Sequence, residues 1–153
     1  MTRISLKRPV VLEFLIALII LLMVYAALNK LTIFKIFTLQ LQVSPFKLLG
    51  QYSTFFAVAV PSIELIIAAL FLFNRTRKIA AVLFISLMSA FTIYIAAMLV
   101  SGLDLPCSCG GVLSNMNWST HLIFNIIYLL IGITVYIMLK RQQRFTSATS
   151  VLT

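Results

Sequence analysis

The chain has 153 residues, of which 62% are hydrophobic and only 10% charged, and its 12 Lys and Arg against 3 Asp and Glu give a net charge of +9. A soluble domain carries roughly a quarter charged residues, so the composition excludes that class. In a soluble protein such a basic excess would point to nucleic acid. Here the basic residues sit at the ends of apolar runs, where membrane topology needs them. The expected partner is therefore the lipid bilayer, and no nucleic acid is expected.

A basic lead occupies residues 1–9. Four apolar runs then follow that are long enough to cross a bilayer, which takes about 20 residues: Val10–Leu28, Phe55–Phe73, Ile79–Val100 and Leu122–Leu139. Backbone groups in hydrocarbon must be satisfied within the segment, so these runs read as helices. The expected fold is an all-α membrane protein, a four-transmembrane-helix antiparallel bundle over 10–139. The first run is too long for a signal-peptide core and is followed by no small-residue cleavage site, so it reads as a retained span. Between the first two spans, Leu31, Phe34, Phe37 and Leu41 recur at helical spacing, with Lys35, Thr38 and Gln42 off that stripe. This predicts a short interfacial helix that ends before Pro45. The stretch NRTRK, 74–78, predicts a tight turn that makes the second and third spans antiparallel neighbours. Residues 140–153 read as a basic tail without regular structure. With five glycines and no Gly-rich loop, phosphate-cradling motifs are absent.

Orientation follows from the basic residues. With the N-terminus inside, Arg3, Lys7, Arg8, Arg75, Arg77, Lys78, Lys140, Arg141 and Arg144 share one side, and Lys30, Lys35 and Lys47 the other. Nine against three predicts both termini inside. The connector between the last two spans then faces out, into the periplasm of a bacterium, where disulfides persist.

That connector, DLPCSCGGVLSNMNWSTH over 104–121, holds both cysteines and the lone histidine. Cys107 and Cys109 are separated by one residue. A disulfide needs Cα atoms about 4.4–6.8 Å apart, and an extended chain puts residues i and i+2 near the upper end of that range. A turn between them is therefore expected, with Pro106 before it and Gly110–Gly111 after it. Closing so short a loop removes little unfolded-state entropy, so the spacing favours redox exchange over stapling. No Lys or Arg in the connector lowers a thiol pKa. The N-terminus of the last span and His121 are what remain to favour thiolate. Two cysteines and one histidine fall short of the four ligands of a structural zinc site, although a Cu(I) site stays open as an alternative.

Two polar features lie within the spans. Glu64, three residues after Pro61, is an acid near mid-span, where ionisable groups are expensive and usually functional. Its expected partners are Ser89, Thr92 and Tyr94 of the third span or Asn125 and Tyr128 of the fourth. His121, Asn125 and Tyr128 share one helix face, which could line a quinone pocket, a proton path or simply a polar seam. Glu13, near the inner end of the first span, is expected to reach the interface or Arg8.

Four stretches taken together resemble the MauE/DoxX family of redox-associated membrane proteins: AALNKL at 26–31, VPSIELIIAALFLFNRTRK at 60–78, LMSAFTIYI at 87–95 and PCSCGGVLSNMNWSTHLIFN at 106–125. The resemblance covers about 10–139, and its most specific part is Cys-x-Cys-Gly-Gly before the last span. It implies a four-helix membrane bundle with paired thiols at Cys107 and Cys109, the membrane acid at Glu64, and Lys30 at the end of the first span. The methylamine-utilisation branch implies a thioredoxin-like partner and maturation of a disulfide-rich periplasmic protein. The DoxX branch implies a link to quinone. A Lys30–Glu64 pair would need a long reach or a tilted helix. A non-enzymatic assembly or transport subunit remains the alternative from a different class.

Overall fold

The computed structural model describes residues 7–44, 46–100 and 118–150, with side chains over 10–44, 46–100 and 119–142. Among the described residues there are six helices and no strand: α1 (Lys7–Thr32), α2 (Phe34–Gln42), α3 (Lys47–Gln51), α4 (Ser53–Leu72), α5 (Arg77–Val100) and α6 (Trp118–Ser150). Four segments are long and apolar enough to cross a membrane: Val10–Thr32, Ser53–Leu72, Arg77–Val100 and Ser119–Gln142. The shortest of them rises about 30 Å at ~1.5 Å per residue, which matches the hydrocarbon thickness of a bilayer.

The four long helices close into a ring. α1 packs against α4 and α6, and α5 packs against the same two. Each contributes one buried stripe at three- and four-residue spacing. On α1 the stripe runs Leu12, Ile16, Ile19, Met23, Ala27 and Lys30; on α4 it runs Ser53, Ala57, Pro61, Glu64, Ala68 and Phe71. Outward positions such as Phe14, Leu21, Phe55, Leu72 and Leu130 are large, apolar and exposed, as a lipid-facing surface requires. Pro61 removes the hydrogen bond to the Ala57 carbonyl, yet α4 continues through it. One residue on, the Ser62 hydroxyl donates to the Val58 carbonyl at 2.8 Å.

The α4–α5 turn is tight, as the sequence predicts. The Thr76 amide donates to the Phe73 carbonyl at 3.0 Å, and its hydroxyl to the Leu70 carbonyl at 2.6 Å. Arg77 Nε donates to the Phe71 carbonyl at 3.1 Å. These donors satisfy carbonyls that the end of α4 leaves open. The α5–α6 contact has its own device at Gly132. A Cβ there would lie 2.7 Å from Phe84 Cδ1 and 3.3 Å from Ile85 Cγ1, so only glycine lets the buried Phe84 ring approach the α6 backbone.

Three differences from the sequence reading stand out. First, α1 does not end at Leu28; it reaches Thr32, and the Ile33 amide still donates to the Asn29 carbonyl at 3.0 Å before α2 begins. The polar residues Asn29 and Lys30 therefore continue the helix, because no glycine or proline interrupts it. Second, α2 is followed by a further short helix, α3. Gly50 of α3 comes so close to the end of α2 that a Cβ would sit 3.0 Å from the Gln42 carbonyl oxygen. α2 itself packs against α4 and buries Leu41. Third, α6 continues past Leu139 to Ser150 instead of giving way to an irregular tail. The segment KRQQR is made of good helix formers and carries no breaker.

Candidate functional site

Lys30 and Glu64 meet inside the bundle. Lys30 Nζ donates to Glu64 Oε1 at 2.6 Å, and the two side chains are 10% and 0% exposed. The ammonium also lies 5.3 Å from the centre of the Phe91 ring on α5, within range of a cation–π attraction. The site thus joins α1, α4 and α5. Its depth can be read from the helices. Glu64 lies about 16 Å along α4 from Ser53, at ~1.5 Å per residue, and Phe91 lies about 13 Å along α5 from its end at Val100. That is near the middle of a hydrocarbon layer about 30 Å thick.

This pairing corrects the expected partners of Glu64. The acid binds α1 rather than the hydroxyls and amide of α5 and α6. The Thr92 hydroxyl donates instead to its own Met88 carbonyl at 2.7 Å, and Asn125 Nδ2 to the His121 carbonyl at 3.2 Å. Lys30 lies two residues before the end of α1 at Thr32, and its ammonium meets a carboxylate about midway along α4. A second pair joins the start of α1 to the start of α5. The Arg77 guanidinium binds the Glu13 carboxylate, with Nη2 to Oε2 at 3.0 Å. Lys30 is the later residue on α1 and Glu64 the earlier one in the α4–α5 hairpin, so α1 and α4 are antiparallel. Glu13 is thus paired with Arg77; the expected partner Arg8 has its side chain outside the described ones.

His121 and Asn125 are buried on α6, and Tyr128 on the same face is half-buried, its ring 4.7 Å from that of Phe124. The shared face reads as expected and points into the bundle. His121 lies one turn nearer the start of α6 than Asn125.

Cys107 and Cys109 lie outside the described residues, in the 101–117 connector. The chain on either side of them is placed: α5 ends at Val100 and α6 begins at Trp118, so the connector joins the bundle end at which α4 begins. The ion pair lies beneath that end. Sequence reading missed three residues here: Phe91 beneath the ammonium, Ser53, which is buried, and Asn29, whose buried Nδ2 has no hydrogen-bond partner. Glu64 Oε2 is likewise buried without a partner. A signal for Lys30 did exist. It falls seven residues after Met23 and three after Ala27, on the apolar stripe of α1, where a solvated lysine would not be placed.

No curated protein and no solved structure matches the chain. The family described as methylamine utilisation protein MauE matches residues 8–138. That stretch takes in the first three spans, most of the fourth, the ion pair and the cysteine connector, and on it the chain belongs to the MauE family of membrane proteins.

Proposed function

We propose that this chain is an inner-membrane component of bacterial disulfide handling, and that Cys107 and Cys109 exchange dithiol for disulfide with a thioredoxin-like periplasmic protein. The observation that carries this reading is the position of the cysteines. They are one residue apart, within the family match, in the connector between the last two spans. The family description supports a role in methylamine utilisation, with the exchange serving maturation of a periplasmic protein on that route. A membrane-dissolved quinone is the electron partner to test first, since the bundle itself lies in the bilayer.

The proposed orientation places both termini in the cytoplasm. The burial of Lys30 inside the bundle strengthens the charge argument, because only Lys35 and Lys47 then remain at the connector end against nine basic residues at the other. In the exchange, one thiolate of the pair attacks a sulfur of the partner's disulfide and forms a mixed disulfide, displacing the partner's second thiolate. The other cysteine then attacks the mixed disulfide and releases the partner as a dithiol. The pair becomes oxidised, the partner reduced, and two protons pass to the partner's thiolates. The relative reduction potentials set the direction. The N-terminal end of α6, immediately after the connector, favours the thiolate form.

Thiol trapping in intact cells tests the reading. Cys109→Ser or Cys107→Ser should accumulate a reducible adduct with a thioredoxin-fold protein, and a membrane-impermeant maleimide added outside should label the reduced pair. Full function in both serine variants, with no adduct, would favour a non-enzymatic assembly subunit.

A further inference from the structure

The segment between the first two spans carries apolar side chains on two opposite faces. At about 100° per residue, Phe34, Phe37 and Leu41 share one side of α2. This side packs on α4, with Leu41 buried and both phenylalanines half-buried. Ile36, Leu39 and Val43 share the opposite side and are 51%, 58% and 50% exposed. Lys35 and Gln42, both exposed, form an edge between the two. Along the chain, exposed Leu28 and Leu31 of α1 and Phe55 of α4 bracket this outer face. Its depth can be read from α5. Phe46, just after α2, lies against Tyr94 with ring centres 6.1 Å apart. Tyr94 is about 26 Å along α5 from Arg77, at ~1.5 Å per residue, inside a hydrocarbon layer about 30 Å thick. The end of α2 meets the demand that hydrocarbon makes of backbone groups. The Val43 amide donates to the Leu39 carbonyl at 3.1 Å and the Ser44 amide to the Leu41 carbonyl at 3.3 Å, and the Ser44 hydroxyl donates to that same carbonyl at 2.8 Å. No carboxylate stands between Glu13 and Glu64 in the chain, and Lys35 and Lys47 are exposed, so the charge of the segment complements lipid phosphate.

We propose that α2 is immersed in the acyl-chain layer of the leaflet opposite the α4–α5 turn, with phospholipid chains seated on the Ile36–Leu39–Val43 face and the Lys35–Gln42 edge turned to the headgroup phosphates. A helix with one apolar face rests on the membrane surface. α2 has two, one covered by α4 and the other by lipid chains; leaving the second in water would forfeit the burial that apolar area favours. The aliphatic stem of Lys35 lets its ammonium reach the phosphates while the helix stays among the chains. This surface does not depend on thiol exchange, since no cysteine belongs to it.

The test uses the full chain with its single tryptophan removed by Trp118→Phe, reconstituted in phospholipid nanodiscs so that both faces are accessible. One tryptophan is then returned at a time. Ile36→Trp and Leu39→Trp are compared with Leu130→Trp, exposed on a span, and Gln42→Trp, on the polar edge. Bromine carried on the acyl chains quenches a tryptophan that lies among them, and iodide in the buffer quenches one that faces water. Ile36→Trp and Leu39→Trp should lose at least half as much emission to acyl bromine as Leu130→Trp does, and less to iodide than Gln42→Trp does. Iodide quenching of both as strong as that of Gln42→Trp would overturn the proposal. Protection of both from either quencher would show that a protein surface covers the face, and would overturn it too. All four positions are exposed, helical circular dichroism checks each variant, and if Ile36→Trp does not fold, Leu39→Trp decides alone. A loss of thiol exchange would leave these spectra unchanged, so the two readings fail separately.

Discussion

Replacing the two ends of the buried ion pair, separately and together, gives the sharpest test of the structure. At 2.6 Å and an effective dielectric constant of ~20, the attraction between Lys30 and Glu64 is about 6 kcal/mol. Desolvating the two ions costs several kcal/mol each, so the pair contributes little net stability. Removing one partner leaves the other buried and uncompensated, at a cost of ~3–5 kcal/mol. Lys30→Met and Glu64→Leu should each destabilise the protein by that amount. The double variant, with two apolar side chains of similar volume, should fall within ~2 kcal/mol of the parent on either side. Equilibrium unfolding in mixed micelles, followed by helical circular dichroism, measures all four proteins and yields the coupling energy. If each single change costs less than ~1 kcal/mol and the two simply add, Lys30 does not reach Glu64 and the register of α1 on α4 is wrong.

The second ion pair should behave differently. Glu13 is 56% exposed in its side chain, and such pairs are worth ~0–1 kcal/mol; Glu13→Gln should change stability by less than ~1 kcal/mol in the same assay. Arg77→Leu should cost more than Glu13→Gln, because it also withdraws the donor to the Phe71 carbonyl. At the α5–α6 contact, Gly132→Leu should destabilise by ~1–3 kcal/mol through overpacking against Phe84, and Phe84→Ala combined with it should recover part of the loss. Additive effects of those two changes would show that the contact is not as close as described.

What can be read from the residues alone is one-dimensional. Apolar runs of sufficient length mark the four spans, since hydrocarbon admits only helices that satisfy their own backbone. NRTRK marks the turn, and an acid at position 64 marks a place where something must compensate. The helical period even sets His121, Asn125 and Tyr128 on one face. The identity of the partner at Glu64 depends on a quantity that the pattern does not contain, the axial offset between helices. Sliding α1 by one turn, about 5.4 Å, would keep every stripe apolar and separate Lys30 from Glu64. Packing of whole helix faces selects one offset, through the fit of the α1 stripe to α4. Only that tertiary choice turns a lysine counted among the outer-loop charges into the buried counter-ion of a mid-membrane carboxylate.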